Sequence, residues 1–267
     1  MKIKSLVKKL IEVEDNRWMQ LLAGLSFLVF FRLICGRWSY VLAIMMGMIG
    51  HEWGHKLVYW VKDVKTKILF LFPLGMVTMP RNEEEDEKSN KLSRWSLAWL
   101  MQAGVMVNVS LVLLGQCLFM FSKGWWSEFG VDLIAINGFL GLFNLLPVGQ
   151  LDGGLLFLMM GSSLKVEERG QLSRAMVMMA GVLLGVVLSP TMWVEKEMLA
   201  VRLLGALGWL TMGVVFSAEA WFKGKTDVNL IPDLNSVMMT KKEVVIHFSL
   251  YMLLIFISAT LLIGPLF

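Results

Sequence analysis

The sequence has few charged residues and only two cysteines. Charged residues make up 17% of the 267 residues and hydrophobic residues 57%, against about 25% and 45–50% in an ordinary globular domain. This balance excludes a disordered chain. Cys35 and Cys117 both lie in apolar stretches, so neither a disulfide scaffold nor a cysteine-based zinc site is available. The sequence has no glycine-rich phosphate loop and no basic stripe, so no nucleic-acid partner is expected.

The hydrophobic residues are concentrated in long runs, and residues 95–122 and 244–267 carry no charge at all. About 18 such residues are enough to span the hydrocarbon core of a membrane. We therefore predict an all-α polytopic membrane protein with six to seven transmembrane helices. The apolar segments are 18–36, 38–61, 95–121, 132–162, 174–194, 198–218 and 245–265.

We expect one integral membrane domain over 1–267, because no loop has the roughly hundred residues of an inserted domain. Residues 1–16 fit either a short interfacial helix or a lysine-rich segment that only sets topology. Residues 40–162 contain the core spans and 163–267 additional spans. Lys and Arg are concentrated before the first span and after the second, fourth and sixth. The positive-inside rule then predicts a cytoplasmic N-terminus and an outside C-terminus, in what we expect to be a prokaryotic cytoplasmic membrane.

Three stretches are not predicted to be simple membrane-spanning helices. Residues 67–80 are too short to cross as a helix, and their Phe, Ile and Val content predicts a short membrane-associated β element. The acidic run at 83–87 is predicted to be a solvated loop. The fourth segment is too long for one straight span, and Pro147 predicts a helix break inside it.

The chemistry-bearing motif lies in the second segment, which reads His51-Glu52-Trp53-Gly54-His55. Helical residues i and i+4 share a face, so both imidazoles can bind one metal ion, and Glu52 can serve as general base. A carboxylate at the centre of a membrane costs roughly 2.5–3.5 kcal/mol even by the lowest estimates. This cost favours a functional role. The alternative is that the motif lies at the cytoplasmic end of the span, where polar residues cost little.

A catalytic zinc usually takes three protein ligands and leaves one position for water. We expect Asp152 to be the third ligand, as the only charged residue of the fourth apolar segment. An unpaired carboxylate there would be strongly destabilised. The break near Pro147, with Gly153 and Gly154, would let its backbone approach the histidines closely. The predicted orientation places all three ligands toward the cytoplasmic side.

The two motifs HEWGH and NLLPVGQLDG together resemble those of the site-2 proteases, which are intramembrane zinc metalloproteases. A weaker match joins Gly104 and Asn108, similar to the G-x-x-x-N of that family. The resemblance covers about residues 40–160. It implies cleavage of a peptide bond in or near the transmembrane segment of another membrane protein, as in regulated intramembrane proteolysis.

The resemblance also implies individual roles. Asn144 would hold the substrate or stabilise the transition state, and residues 67–80 would hold the unwound substrate by strand addition. One Zn²⁺ per chain would be bound by His51, His55 and Asp152, with Glu52 as the general base.

Other features depart from the family. The chain has no room for the PDZ or CBS domains that many members carry, and the last segment exceeds a six-span arrangement. The resemblance says nothing of that segment's role, and His247 within it is predicted to be structural or interfacial. The expected partners are a transmembrane substrate and the lipid bilayer, with a membrane regulator or a second copy left open.

Two other functions compete with this one. A membrane zinc protease of the HtpX type would use a glutamate as third ligand, for which Glu219 is the candidate. A non-catalytic metal-binding protein or transporter would have no need for a base at Glu52.

Overall fold

The part of the chain that a computed structural model describes comprises residues 17–71, 75–146, 151–162 and 239–263. It is mostly helical. The helices are α1 (Arg17–Cys35), α2 (Trp38–Val61), α3 (Glu83–Asn90), α4 (Arg94–Phe121), α5 (Trp125–Asn144), α6 (Asp152–Ser162) and α7 (Lys241–Ile263), and the strands are β1 (Thr66–Leu71) and β2 (Gly75–Pro80). Residues 1–16 and the predicted segments 174–194 and 198–218 lie outside the described residues.

The helices follow the hydrophobic runs closely, since α1, α2 and α4 begin and end within a residue of the predicted segments. Within the described ranges, α4 alone is both long and apolar enough to cross a membrane. The apolar part of α1, Gln20–Ile34, is shorter. A membrane span at α4 is thus supported by length and composition, and six to seven spans remain a prediction.

The fourth predicted segment is divided into two helices. α5 ends at Asn144 and α6 begins at Asp152, which confirms the predicted break. Pro147 itself lies outside the described residues. α5 begins at Trp125 rather than at residue 132, directly after Gly124, whose φ of 62° marks a turn that favours glycine.

The hairpin predicted at 67–80 is confirmed, because β1 and β2 pair antiparallel with Leu71 opposite Gly75. The loop predicted at the acidic run is wrong, since these residues form α3. The Asn82 side chain accepts a hydrogen bond from the Glu85 backbone N–H and caps the helix. Acidic residues in a first turn also interact favourably with the positive end of the helix dipole.

The core of the fold brings α2 and α4 unusually close together. Both helices pack against α5, while α7 packs on α4 and α5 and α6 packs on α4. A Cβ added at Gly54 would lie 2.5 Å from the carbonyl oxygen of Ala103, and one at Gly104 would lie 2.6 Å from Cε1 of His51. The two glycines therefore allow α4 to lie directly against the histidine-bearing face of α2.

Candidate metal centre

Three side chains from two helices converge on one point. His51 and His55 are buried on α2, and their Nε2 atoms lie 3.0 Å apart. Asp152, the first residue of α6, places its Oδ2 3.0 Å from Nε2 of His51 and 3.5 Å from Nε2 of His55. The structure thus brings together the three predicted ligands, although Asp152 lies about a hundred residues after the two histidines in the sequence.

The hydrogen bond at Nδ1 of His51 shows which ring nitrogen carries the proton. Nδ1 lies 2.7 Å from Oδ1 of Asn108. The Asn108 amide is oriented by its own Nδ2, which donates to the carbonyl of Gly47 and to Oδ1 of Asn137. Its Oδ1 is therefore an acceptor, and Nδ1–H of His51 donates to it.

His55 is held in the same way by a backbone group. Its Nδ1 lies 2.7 Å from the carbonyl oxygen of Leu100 on α4, which can only accept. With Nδ1 protonated, a neutral imidazole presents a bare lone pair on Nε2. Both rings therefore direct an acceptor atom at the same point, an arrangement that metal-binding histidines commonly show.

These atoms need a positive charge among them. Oδ2 of Asp152 is buried and accepts no hydrogen bond, and no lysine or arginine of the described ranges pairs with this carboxylate. Three acceptors at 3.0–3.5 Å repel one another unless protons or a cation lie between them. Ligands about 2.0–2.1 Å from a tetrahedral zinc are roughly 3.3 Å apart, so the donor set and its spacing fit Zn²⁺.

Glu52 adds a carboxylate to this site. It is buried, and its ligand oxygen lies within 4.8 Å of the ring nitrogens of His51 and His55. Its backbone carbonyl accepts a hydrogen bond of 3.0 Å from Oγ1 of Thr78 on β2, which ties the hairpin to this turn of α2. The site therefore combines two imidazoles and an aspartate with a nearby carboxylate able to accept a proton.

The remaining predicted residues have different positions. Asn144, half-buried, donates from Nδ2 to the carbonyl of Leu140 within α5, and no hydrogen bond in the described part of the chain joins it to the cluster. Gly153 packs so closely on Leu145 that a Cβ would clash with that carbonyl, so its close contact is with the end of α5. The expected close approach of its backbone to the histidines stays a prediction. Pro147 and Glu219 lie outside the described residues.

Sequence reasoning missed two features. It noted Asn108 only as part of a motif, whereas Asn108 holds His51. It also took Asp152 as the only charged residue of the fourth segment, but Asp132 is buried there too and accepts a hydrogen bond of 2.6 Å from Nη2 of Arg37. The available signal for the first was an asparagine flanked by valines in an uncharged apolar run.

Comparison with known proteins adds no assignment, because no protein-family model matches the chain and no curated protein is significantly similar to it. The geometry supports a specific statement all the same. The group His51, Glu52 and His55 could hold a metal ion, with Asp152 within reach of the same position.

Proposed function

We propose that the chain is an intramembrane zinc metalloprotease of the site-2 protease type. The observation that carries this proposal is the convergence of Nε2 of His51, Nε2 of His55 and Oδ2 of Asp152 beside the buried carboxylate of Glu52. When bound there, zinc would supply Lewis-acid polarisation of the scissile carbonyl and activation of water. Three protein ligands leave the open position that this chemistry needs.

The apolar surface of the helices supports a location within a lipid bilayer. α4 has the length and apolarity of a span, and large apolar side chains such as Leu33, Trp60 and Phe121 are exposed on three helices. On α1, exposed Leu22, Leu25, Val29 and Leu33 follow one another at intervals of three and four residues and line one surface. An exposed apolar patch of this kind suits contact with lipid. We place the protein as a multi-pass membrane protein with the site toward the cytoplasm, following the distribution of Lys and Arg.

Glu52 is the proposed general base. Its carboxylate would take a proton from the attacking water and return that proton to the leaving amine. The hydrogen bonds from His51 to Asn108 and from His55 to Leu100 keep both rings from turning during this transfer. The proposed base and the two histidine ligands thus lie on one turn of α2, and Asp152 of α6 supplies the third ligand.

The hairpin offers an edge on which an unwound substrate can be held. On β1, the outward backbone groups of Phe70 are already paired: its N–H donates to Oε1 of Gln20, and its carbonyl accepts from Nε2 of Gln20. Gln20 belongs to α1, so its amide fills the place of a neighbouring strand. The outer edge of β1 is therefore occupied at this residue.

The outer edge of β2 is the better candidate for strand addition. Directly opposed residues of an antiparallel pair point their backbone groups either toward each other or both away. Phe70 lies opposite Met76, so Met76 points away from β1, and by alternation so does Thr78. Thr78 also bonds the backbone of Glu52, so a substrate strand paired there would run beside the proposed base.

The competing functions are weaker on specific grounds. The contacts of Asp152 with both histidines favour an aspartate over Glu219 as third ligand. A transporter or binding protein needs no carboxylate held beside the histidines, yet Glu52 is buried there. Proteolysis uses all four residues.

The test is Glu52→Gln, with Glu84→Gln, an exposed acid of α3, as the matched control. The substrate is first identified as the membrane protein that accumulates uncleaved in cells carrying Glu52→Gln. Cleavage of that protein by purified variants should then fall by about two to four orders of magnitude for Glu52→Gln, with one zinc per chain retained. Wild-type cleavage by folded, zinc-loaded Glu52→Gln protein would refute the proposal.

A further inference from the structure

Helix α7 buries one face against helices that adjoin the metal centre. His247, Tyr251 and Leu254 are all buried and follow one another at intervals of four and three residues, so they lie on the same side of α7. That side packs on α4 and α5. α7 is therefore in contact with α4, whose Asn108 and Leu100 hold the two histidines.

His247 joins α7 to α4. Its Nδ1 donates to Oε1 of Gln102 over 2.7 Å, and Nε2 of Gln102 donates to the His247 carbonyl over 2.9 Å. The pair is fully buried, and the ring of Trp95 packs against the imidazole at 4.3 Å. Gln102 lies two residues after Leu100, whose carbonyl holds His55. The contact therefore fixes α7 on the part of α4 that orients a ligand.

Tyr251 joins α7 to both sides of the helix break. Its hydroxyl donates to the carbonyl of Leu145, the C-cap residue of α5. Its ring packs edge-on against Phe157 of α6 at 4.9 Å. The same Leu145 carbonyl is the group against which Gly153 packs. One side chain thus contacts the end of α5 and the helix that begins with Asp152.

We propose that Tyr251 is a positioning residue for the third metal ligand. The carbonyls of a last helical turn have no partner within the helix, and the Tyr251 hydroxyl supplies one at Leu145. This bond and the Phe157 contact set the separation of α5 from α6, and with it the place of Oδ2 of Asp152. Metal ligands need such support to stay within about half an ångström of their working geometry. The inference rests on the proposed metal centre.

The experiment compares Tyr251→Phe with Tyr59→Phe in the purified full-length protein. Each substitution removes one buried hydroxyl, but the Tyr59 hydroxyl bonds Ser89 of α3 and does not touch the break. Affinity for Zn²⁺ is measured by competition with a chelator, and the visible absorption of Co²⁺-loaded protein reports ligand geometry. Tyr251→Phe should lower affinity by about 10-fold, the low end for outer-shell partners, and shift the Co²⁺ bands. Tyr59→Phe should do neither.

Each outcome decides the proposal. If Tyr251→Phe matches Tyr59→Phe in affinity and spectrum while Asp152→Asn loses the metal, the positioning role is overturned and the metal centre stands. If the wild-type protein binds no Zn²⁺, both are overturned. Should Tyr251→Phe not fold, Gly153→Ala perturbs the same Leu145 carbonyl from the other side. It is expected to weaken Zn²⁺ binding similarly, and unchanged affinity would again overturn the role.

Discussion

Asp132 and Asp152 are two aspartates with low exposure whose charges are met in different ways. Oδ1 of Asp132 accepts a hydrogen bond of 2.6 Å from the guanidinium of Arg37, so the protein supplies the opposite charge. Oδ2 of Asp152 instead faces the Nε2 atoms of His51 and His55, whose protons are on Nδ1. A buried acid is therefore not by itself the sign of a site. The sign is a buried acid to which the protein offers only other acceptors.

The largest expected effect is a difference in zinc binding between the two aspartates when each is replaced by asparagine. Asp152→Asn removes a ligand and the negative charge, so affinity for Zn²⁺ should fall by more than about 100-fold, beyond the range for outer-shell partners. Asp132→Asn should keep one zinc per chain, because its partner is Arg37. Zinc per chain by elemental analysis, followed by chelator competition, measures both.

Equal zinc loss in the two variants would remove the distinction between these aspartates. Equal zinc retention would show that Asp152 is not a ligand. In either case the variants must first elute as monodisperse protein, so that loss of metal is not confused with loss of fold.

The second effect concerns stability at the other aspartate. Arg37→Leu leaves the Asp132 carboxylate, 2% exposed, without its counter-charge. Breaking a buried pair in this way typically costs 3–5 kcal/mol, and we expect about 3 kcal/mol because the Arg37 side chain is itself largely exposed. Thermal unfolding in detergent gives the comparison with Arg32→Leu, which loses only a cation–π contact with Trp38 worth about 0.5–1 kcal/mol.

Zinc content should not change in Arg37→Leu. An Arg37→Leu protein as stable as Arg32→Leu would mean that Arg37 does not compensate the Asp132 charge. The contrast drawn between Asp132 and Asp152 would then be wrong for Asp132.

The sequence predicts the local parts of this arrangement better than the long-range ones. The bounds of α2 and the shared face of His51 and His55 follow from the apolar run and the four-residue spacing. The pairing of Arg37 with Asp132 joins residues 95 positions apart. No periodicity encodes such a partner, because it depends on how α2 and α5 pack.

The acidic run shows a second limit. An acidic run such as 83–87 is typical of a solvated loop, and like charges four residues apart disfavour a helix. The cap from Asn82 and the burial of Glu85 outweigh that repulsion. The hydrogen bond from Asn108 to His51 was missed for a related reason, since it requires the close contact of α4 with α2 at Gly104.

The third expected effect is a difference in zinc affinity between substitutions of Asn108 and of Asn144. Asn108→Leu removes the acceptor for Nδ1–H of His51, and loss of such a partner commonly lowers metal affinity by about 10- to 100-fold. Asn144→Leu removes only a bond within α5, so its zinc affinity should be that of the wild type. If Asn144 contacts the substrate, cleavage should still fall in that variant.

Chelator competition measures the zinc affinity of each variant, and a cleavage assay measures the activity of each. Wild-type affinity in Asn108→Leu would contradict the assignment of the Nδ1 proton and with it the bare acceptor on Nε2 of His51.

The smallest effect is expected at Glu85, which like Asp132 is a buried carboxylate whose charge the protein satisfies. The backbone N–H of Lys65 and the ammonium of Lys88 donate to it and hold its pKa below the usual range for a glutamate. Because the pKa is depressed in the folded state, this stabilisation is present above the usual glutamate pKa and is lost as pH falls through the lowered value. The protection factors of the β1 amides, which are corrected for the intrinsic pH dependence of exchange, should therefore fall on acidification.

Glu85→Gln should show low protection factors in β1 already at neutral pH, with little further change in acid. Its neighbour Glu84, which is mostly exposed, provides the control, and Glu84→Gln should follow the wild type. Identical profiles for all three proteins would mean that Glu85 does not hold the hairpin.

The most direct test of the central claim is zinc-edge X-ray absorption of the wild-type protein beside Asp152→Asn. We predict a four-coordinate zinc in the wild type with nitrogen and oxygen neighbours at about 2.0–2.1 Å, including two imidazoles, and no bound zinc in the variant. Zinc with sulfur neighbours at about 2.3 Å, or the same zinc spectrum in Asp152→Asn, would contradict a metal centre built from His51, His55 and Asp152.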